Sequence, residues 1–269
     1  MNLGLDPSLT HELHRDDPDR FWCLVPVPPA ARPPVAALLA FNQELGRVAE
    51  QVTQPMAGFI RLQWWREAIE EARAGRARRQ PVAQALPLIQ AAGLPDERLE
   101  GLVDAREREL DEAPITDLEE LKAHVRATAG ALQAGVATLT GGEAERARRI
   151  GTAYGLVGIL RATGHLAAGG RCLLPADLLE SHGVSRSAVL AGETGEGLRA
   201  VARQVAQAAE AEMRGLRPRR GEAATPLLLI TRHQLRALGA AEYDPFAAAS
   251  IGRPRHLALR LLLLQGLGW

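Results

Sequence analysis

The residues that could carry chemistry are few and scattered. His11, His14, Asp16 and Asp17 crowd into the run HELHRDD near the N-terminus, a density of imidazole and carboxylate that suggests a metal ion. The spacing is not the HExxH pattern that turns two imidazoles toward zinc from one helix face. A solvated segment is therefore the favoured reading. Cys23 and Cys172 stand far apart with no further thiol or imidazole at ligand spacing, which points to a reduced compartment and no disulfide. His165 could hold a metal or an anion, but a lone imidazole reads first as a polar helix-end residue. Arginine is the richer lead, because Lys122 is the only lysine beside 31 arginines. A guanidinium grips a phosphate or carboxylate with two parallel bonds, and GC-rich coding is the plain explanation for the abundance. Trp64 and Trp65 are adjacent, so on a helix they point about 100° apart. One packs in the core, and the other is left to floor a cavity.

Helices must position these groups. Ala and Leu supply 47 and 41 of the 269 residues, whereas Val, Ile and Thr together supply 33. Good helix formers thus outnumber strand formers heavily, and the fold class is all-α. Charges balance at 32 against 32, so no basic footprint for nucleic acid exists. No run reaches the ~20 apolar residues of a membrane span, and the acidic first twenty residues lack the apolar region of a secretory signal. The expectation is a cytoplasmic protein, with peripheral contact at the inner membrane as the alternative.

Apolar periodicity and turn residues place helices over 33–52, 55–73, 81–91, 96–110, 117–140, 143–167, 195–214, 226–238 and 256–264, with a loop at Pro175 and a short helix following the break at Gly169–Gly170. Residues 1–16 are expected to be a flexible segment, and 17–269 to form one domain of about eight to ten helices. In the C-terminal run RLLLLQGLGW, packing of Leu259, Leu262 and Leu263 into the domain is favoured over contact with a membrane or partner.

The segments 41–52 (FNQELGRVAEQV) and 61–66 (RLQWWR) resemble the first signature of the squalene/phytoene synthase family. Residues 151–161 (GTAYGLVGILR) with 170–178 (GRCLLPADL) resemble the second, and 128–132 (TAGAL) a small-residue helix crossing between them. With 17–21 (DPDRF), these anchors run in family order from about residue 17 to 183. The resemblance implies an isoprenoid synthase fold, helices surrounding a central apolar cavity. Its enzymes join two prenyl diphosphates, using carboxylates at i and i+4 on facing helices to hold Mg²⁺ against the leaving diphosphate.

The sequence departs from that pattern at both places. The first acidic pair falls at Gly46 and Glu50, with Arg47 adjoining, and the second at Ala162 and Leu166, with His165 beside it. Only Glu50 keeps a carboxylate. The run LRAT at 160–163, LLPAD at 173–177 and HGVS at 182–185 look instead like the non-catalytic branch of this superfamily, which includes a mitochondrial assembly factor for respiratory NADH:ubiquinone oxidoreductase (complex I). The resemblance implies a pseudoenzyme with no catalytic residue, no metal and no cofactor, whose partners are complex I subunits or assembly intermediates. The alternatives are a prenyltransferase with an unusual Mg²⁺ site, or a module that binds a prenyl lipid, quinone or diphosphate. Glu50, Arg61, Trp64, Arg161, His165 and Arg171 are the candidate binding residues on or beside the family's cavity helices, and Arg66 is a weaker one.

Overall fold

The computed structural model describes residues 5–266, and every regular element in them is helical. Proline opens many of the helices, since its missing N–H costs nothing in a first turn. This holds for α1 (Pro7–Asp16), α2 (Pro18–Phe21), α3 (Arg32–Arg47), α4 (Pro55–Arg73) and α5 (Pro81–Ala91). Next come α6 (Asp96–Asp104), a short 3₁₀ turn at Glu107–Leu110, and α7 (Leu118–Val125), whose N-cap Asp117 accepts from the Glu120 N–H at 2.8 Å. A π-helical turn, Arg126–Gly130, joins α7 to α8 (Ala131–Leu139), and α9 (Ala144–Ala168) follows. The short α10 (Ala176–Ser181) and α11 (Arg186–Leu190) precede α12 (Glu196–Glu212), α13 (Thr225–Ala240) and α14 (Leu257–Gly266). Helical segments outnumber the eight to ten expected, because α1, α2 and α11 are short pieces that periodicity does not reveal, whereas α10 is the short helix expected after Pro175.

Two apolar clusters hold the helices together. One centres on α3, where 34–42 are buried on every side, and gathers Leu62 and Ile69 of α4, Leu86 and Ile89 of α5, and Leu132 of α8. The other centres on α9 and takes the stripe Leu198, Val201, Ala202, Val205 and Ala209 of α12, together with Leu227, Leu228 and Leu238 of α13. Helix α8 feeds both clusters and lies tightly on α9. A Cβ on Gly151 would come 2.3 Å from the Ala129 carbonyl oxygen, and one on Gly130 would come 2.6 Å from Thr152 Oγ1. Only glycine permits that approach, and the π turn lies at the same contact.

Two segments differ from the sequence reading. Residues 7–16, assigned to a flexible stretch, form α1, because Leu9 and Leu13 lie one turn apart and both reach the core. The clustered acids beside them are engaged: Asp16 pairs with Arg15 and Arg47, and Asp17 with Arg20. In α14, Leu257 and Leu261 are buried, whereas Leu259, Leu262 and Leu263 are exposed. The expected packing of those three is thus corrected, since only one stripe of α14 meets α13. Trp269 lies outside the described residues. Among the described residues, no helix is long and apolar enough to cross a membrane.

Candidate functional site

Helices α3 and α9 carry the two degraded acidic positions. Helix α3 ends at Arg47, and the Glu50 and Gln51 amides turn back onto the Arg47 carbonyl at 3.1 and 3.0 Å. Glu50 therefore stands in a turn beyond the helix rather than one turn up the Gly46 face. Its carboxylate meets His165 of α9 at 3.9 Å, with side chains 53% and 78% exposed. The structure thus brings together the surviving carboxylate of one motif and the imidazole of the other, at the surface.

Deeper in, the space at Gly46 is filled by a guanidinium. Both terminal nitrogens of Arg106 lie 3.9 Å from where a Cβ on Gly46 would stand. Arg106 donates to Asn42 Oδ1 on α3 at 2.8 Å and to Glu109 at 2.7 Å. His124 of α7 lies 3.4 Å from the same Glu109 oxygen. Burial alone would raise the Glu109 carboxyl, but Arg106 and His124 outweigh it and hold that carboxyl at about 2. Sequence reasoning missed this quartet. The Arg106–Glu109 spacing of three and the place of Asn42 one turn before Gly46 were its only traces.

The other expected residues are dispersed. Arg61 donates to Gln51, next to Glu50. Trp65 is the core member of its pair, edge-to-face with Phe41 at 5.3 Å. Trp64 is half-buried and capped by Arg78, whose guanidinium sits 4.9 Å from its ring and also bonds Glu71 and Glu67. Arg66 is engaged by Asp104 and Glu107. Arg161, one turn before His165 on α9, pairs with Asp19 at 3.5 Å rather than with Glu50. Asp19, which sequence reasoning also missed, is 6% exposed and accepts from Tyr154 at 3.3 Å and Gln234 at 3.2 Å, with Arg253 3.5 Å away.

Arg171 alone of the six lines a cleft, of about 450 Å³, between the turn at 49–55, the loop at 109–113 and the turn after α9. It donates to the Glu109 carbonyl at 3.1 Å and shares the cleft with Arg186, Glu109, Asp111 and Glu112. Cys172 also lies there, but burial raises its thiol, leaving a poor nucleophile. Cys23 is pushed up to about 12 by burial.

These groups do not suit magnesium. Mg²⁺ takes oxygen ligands in near-octahedral array, whereas Gly46 and Ala162 offer none and a guanidinium stands against the first. Among the described residues, no three His, Cys, Asp or Glu side chains lie together in a metal-binding group.

Residues 13–260 match the squalene/phytoene synthase family. The chain belongs to that family. Its fold is the all-α isoprenoid synthase fold: a dehydrosqualene synthase crystallised with a ligand superposes with a TM-score of 0.78 at 18% identity, covering 95% of this chain and 93% of that one. Squalene synthase HpnC from Alicyclobacillus acidocaldarius gives 0.74 at 23% identity, covering 89% of this chain and 93% of that one. Among curated family relatives, the Mus musculus protein named NADH dehydrogenase (ubiquinone) complex I, assembly factor 6 is 30% identical over 212 residues, 76% of this chain and 63% of that protein. The Homo sapiens protein of the same name is 29% identical over 221 residues, 80% and 66% respectively. The chain thus matches just under two thirds of the length of either relative.

Proposed function

We propose that this chain is a non-catalytic member of the family that assists assembly of respiratory complex I. One observation carries the reading. Where an enzyme of the family needs a carboxylate to hold Mg²⁺, Arg106 already supplies a positive charge, and Glu109 neutralises it internally. Ionising an allylic diphosphate needs a cation that is free to meet the leaving group, and a guanidinium committed to Asn42 and Glu109 is not free. The similarity to mouse and human proteins named as complex I assembly factors supports the partner: a complex I subunit or an assembly intermediate. The same partner would bring the protein to the inner membrane surface, as a peripheral visitor from the cytoplasm.

The rival reading, a binder of prenyl diphosphate, is opposed by the cleft at Arg171. Asp111 and Glu112 line it beside Arg171 and Arg186, and Arg171 is already engaged by the Glu109 carbonyl, which disfavours a polyanion. Gene deletion tests the proposal directly. Assembled complex I on a native gel is expected to fall while squalene and carotenoid content stays constant, and the wild-type gene should restore it. Unchanged complex I overturns the reading. So does any head-to-head product when the purified protein is given farnesyl or geranylgeranyl diphosphate with Mg²⁺.

A further inference from the structure

A second cleft, of about 320 Å³, opens at another part of the chain, between the α8–α9 turn and the loop before α13. It reaches Gln133 of α8, runs past Ala137 to Thr140, and is walled by Ala147 of α9 and by Ala223 and Ala224. Gln133 and Thr140 are seven residues apart, so the cleft follows about 10 Å of helix.

Gln133 is the unusual member. Its side chain is 0% exposed, yet neither its amide nitrogen nor its amide oxygen has a hydrogen-bond partner. Burying such a group unpaired is costly, and native proteins keep few of them. The Cγ of Gln133 packs on the bare backbone of Gly151 in α9, where a Cβ would stand 2.9 Å from it. Gln133 also lines the cleft, so an unpaired donor and acceptor lie at the buried end of an alanine-walled slot.

The mouth is cationic. Arg219 and Arg220 both line it. Arg219 pairs with Glu143 at 2.8 Å, but the two side chains are 55% and 60% exposed, and such pairs are weak and exchange readily. Arg220 has no ion pair among the described residues. The remaining carboxylate, Glu222, is already engaged by the buried Arg146 at 2.5 Å and by the Thr225 hydroxyl at 2.8 Å.

We propose that this cleft binds a small organic anion with a hydroxyl at the end remote from its acid group. The acid lies on Arg220 and Arg219, where a guanidinium grips a carboxylate with two bonds. The apolar body lies along Ala137, Ala147, Ala223 and Ala224. The hydroxyl donates to Gln133 Oε1 and accepts from Nε2, which satisfies both halves of the amide. This site is separate from the Arg106 and Arg171 region and does not depend on the role in complex I assembly.

Titration calorimetry on the full chain tests it with three probes: 4-hydroxycinnamate, cinnamate, which lacks the hydroxyl, and 4-hydroxycinnamyl alcohol, which lacks the acid. The first is expected to bind in the micromolar to millimolar range, and the other two about tenfold more weakly. Gln133→Leu should erase the difference between 4-hydroxycinnamate and cinnamate while melting no lower than the wild type, because it removes an unsatisfied amide. Arg220→Ala, a surface change, should erase the difference between the acid and the alcohol. Absence of heat with all three probes overturns the proposal and leaves water as the occupant. Equal binding of the three, or the same discrimination in both variants, overturns it as well.

Discussion

Gly46 and Glu50 belong to one motif and are four residues apart, yet the structure treats them in opposite ways. At Gly46 the lost acid is compensated from inside: Arg106, Asn42, Glu109 and His124 close over it in a shielded network. At Glu50 the surviving acid is left in a surface turn, 3.9 Å from an imidazole and open to water. A buried position that loses its function must be repacked and rebalanced, because an empty space or a lone charge is costly there. An exposed position can keep its old residue with little consequence. The conserved-looking carboxylate is therefore the poorer guide to what this site now does, and the unremarked arginine is the better one.

Breaking the buried side of this comparison should have the largest effect. Arg106→Ala leaves Glu109 without its main counter-charge and Asn42 without its donor, and a loss of about 3 kcal/mol is expected in urea unfolding. A loss below about 1 kcal/mol would dissolve the contrast. Acid stability gives the next effect. The Glu109 carboxyl lies at about 2 in the fold against 4.5 ordinarily, so its contribution is complete above pH 4.5 and disappears as pH falls toward 2. The stability gap between wild type and Glu109→Gln should accordingly narrow across that window, and a gap that widens on acidification would contradict the assignment. Gly46→Asp restores the family's acid beside Arg106. It should pair with the guanidinium, change stability by less than about 1 kcal/mol, and confer no rise in melting temperature with millimolar MgCl₂. A magnesium-dependent rise would show that the site had only been waiting for its carboxylate. The smallest effect belongs to the surface pair, where Glu50→Ala and His165→Ala should each stay within about 0.5 kcal/mol of wild type by the same urea measurement.

Much of the fold could be read in advance. Helices α4 and α5 run over the residues expected, and α9, α12 and α13 shift by only one or two residues at their ends. Proline starts and glycine stops are local signals that tertiary packing does not override. The long helix expected over 117–140 is present in outline, but it contains the π turn Arg126–Gly130. That feature lies where Gly130 closes on Thr152 and Gly151 on Ala129 across two helices, a contact that no single-segment pattern encodes. Helix α3 stops at Arg47 although Val48 and Val52 continue its apolar spacing, so Glu50 moved off the expected face. The site was legible only as pieces: Glu50 and His165 do meet, and Trp65 does pack in the core. Arg106 and Asp19 were not legible as site residues because deciding partners lie far away in sequence, Asn42 64 residues from Arg106 and Gln234 215 from Asp19.

Asp19 has a consequence for how the molecule comes apart. Its carboxylate is shared by Tyr154 and Arg161 of α9, Gln234 of α13 and Arg253 just ahead of α14. The beginning and end of the described chain are thereby fastened to one another across the middle of the fold. They work as a clasp rather than as two loose tails. A protease that trims either terminal segment past this point does more than shorten the polypeptide. Loss of the C-terminal segment takes Arg253 from the buried Asp19, and loss of the N-terminal one takes Asp19 from Arg161 and Arg253, so nicking at one terminus should loosen the other.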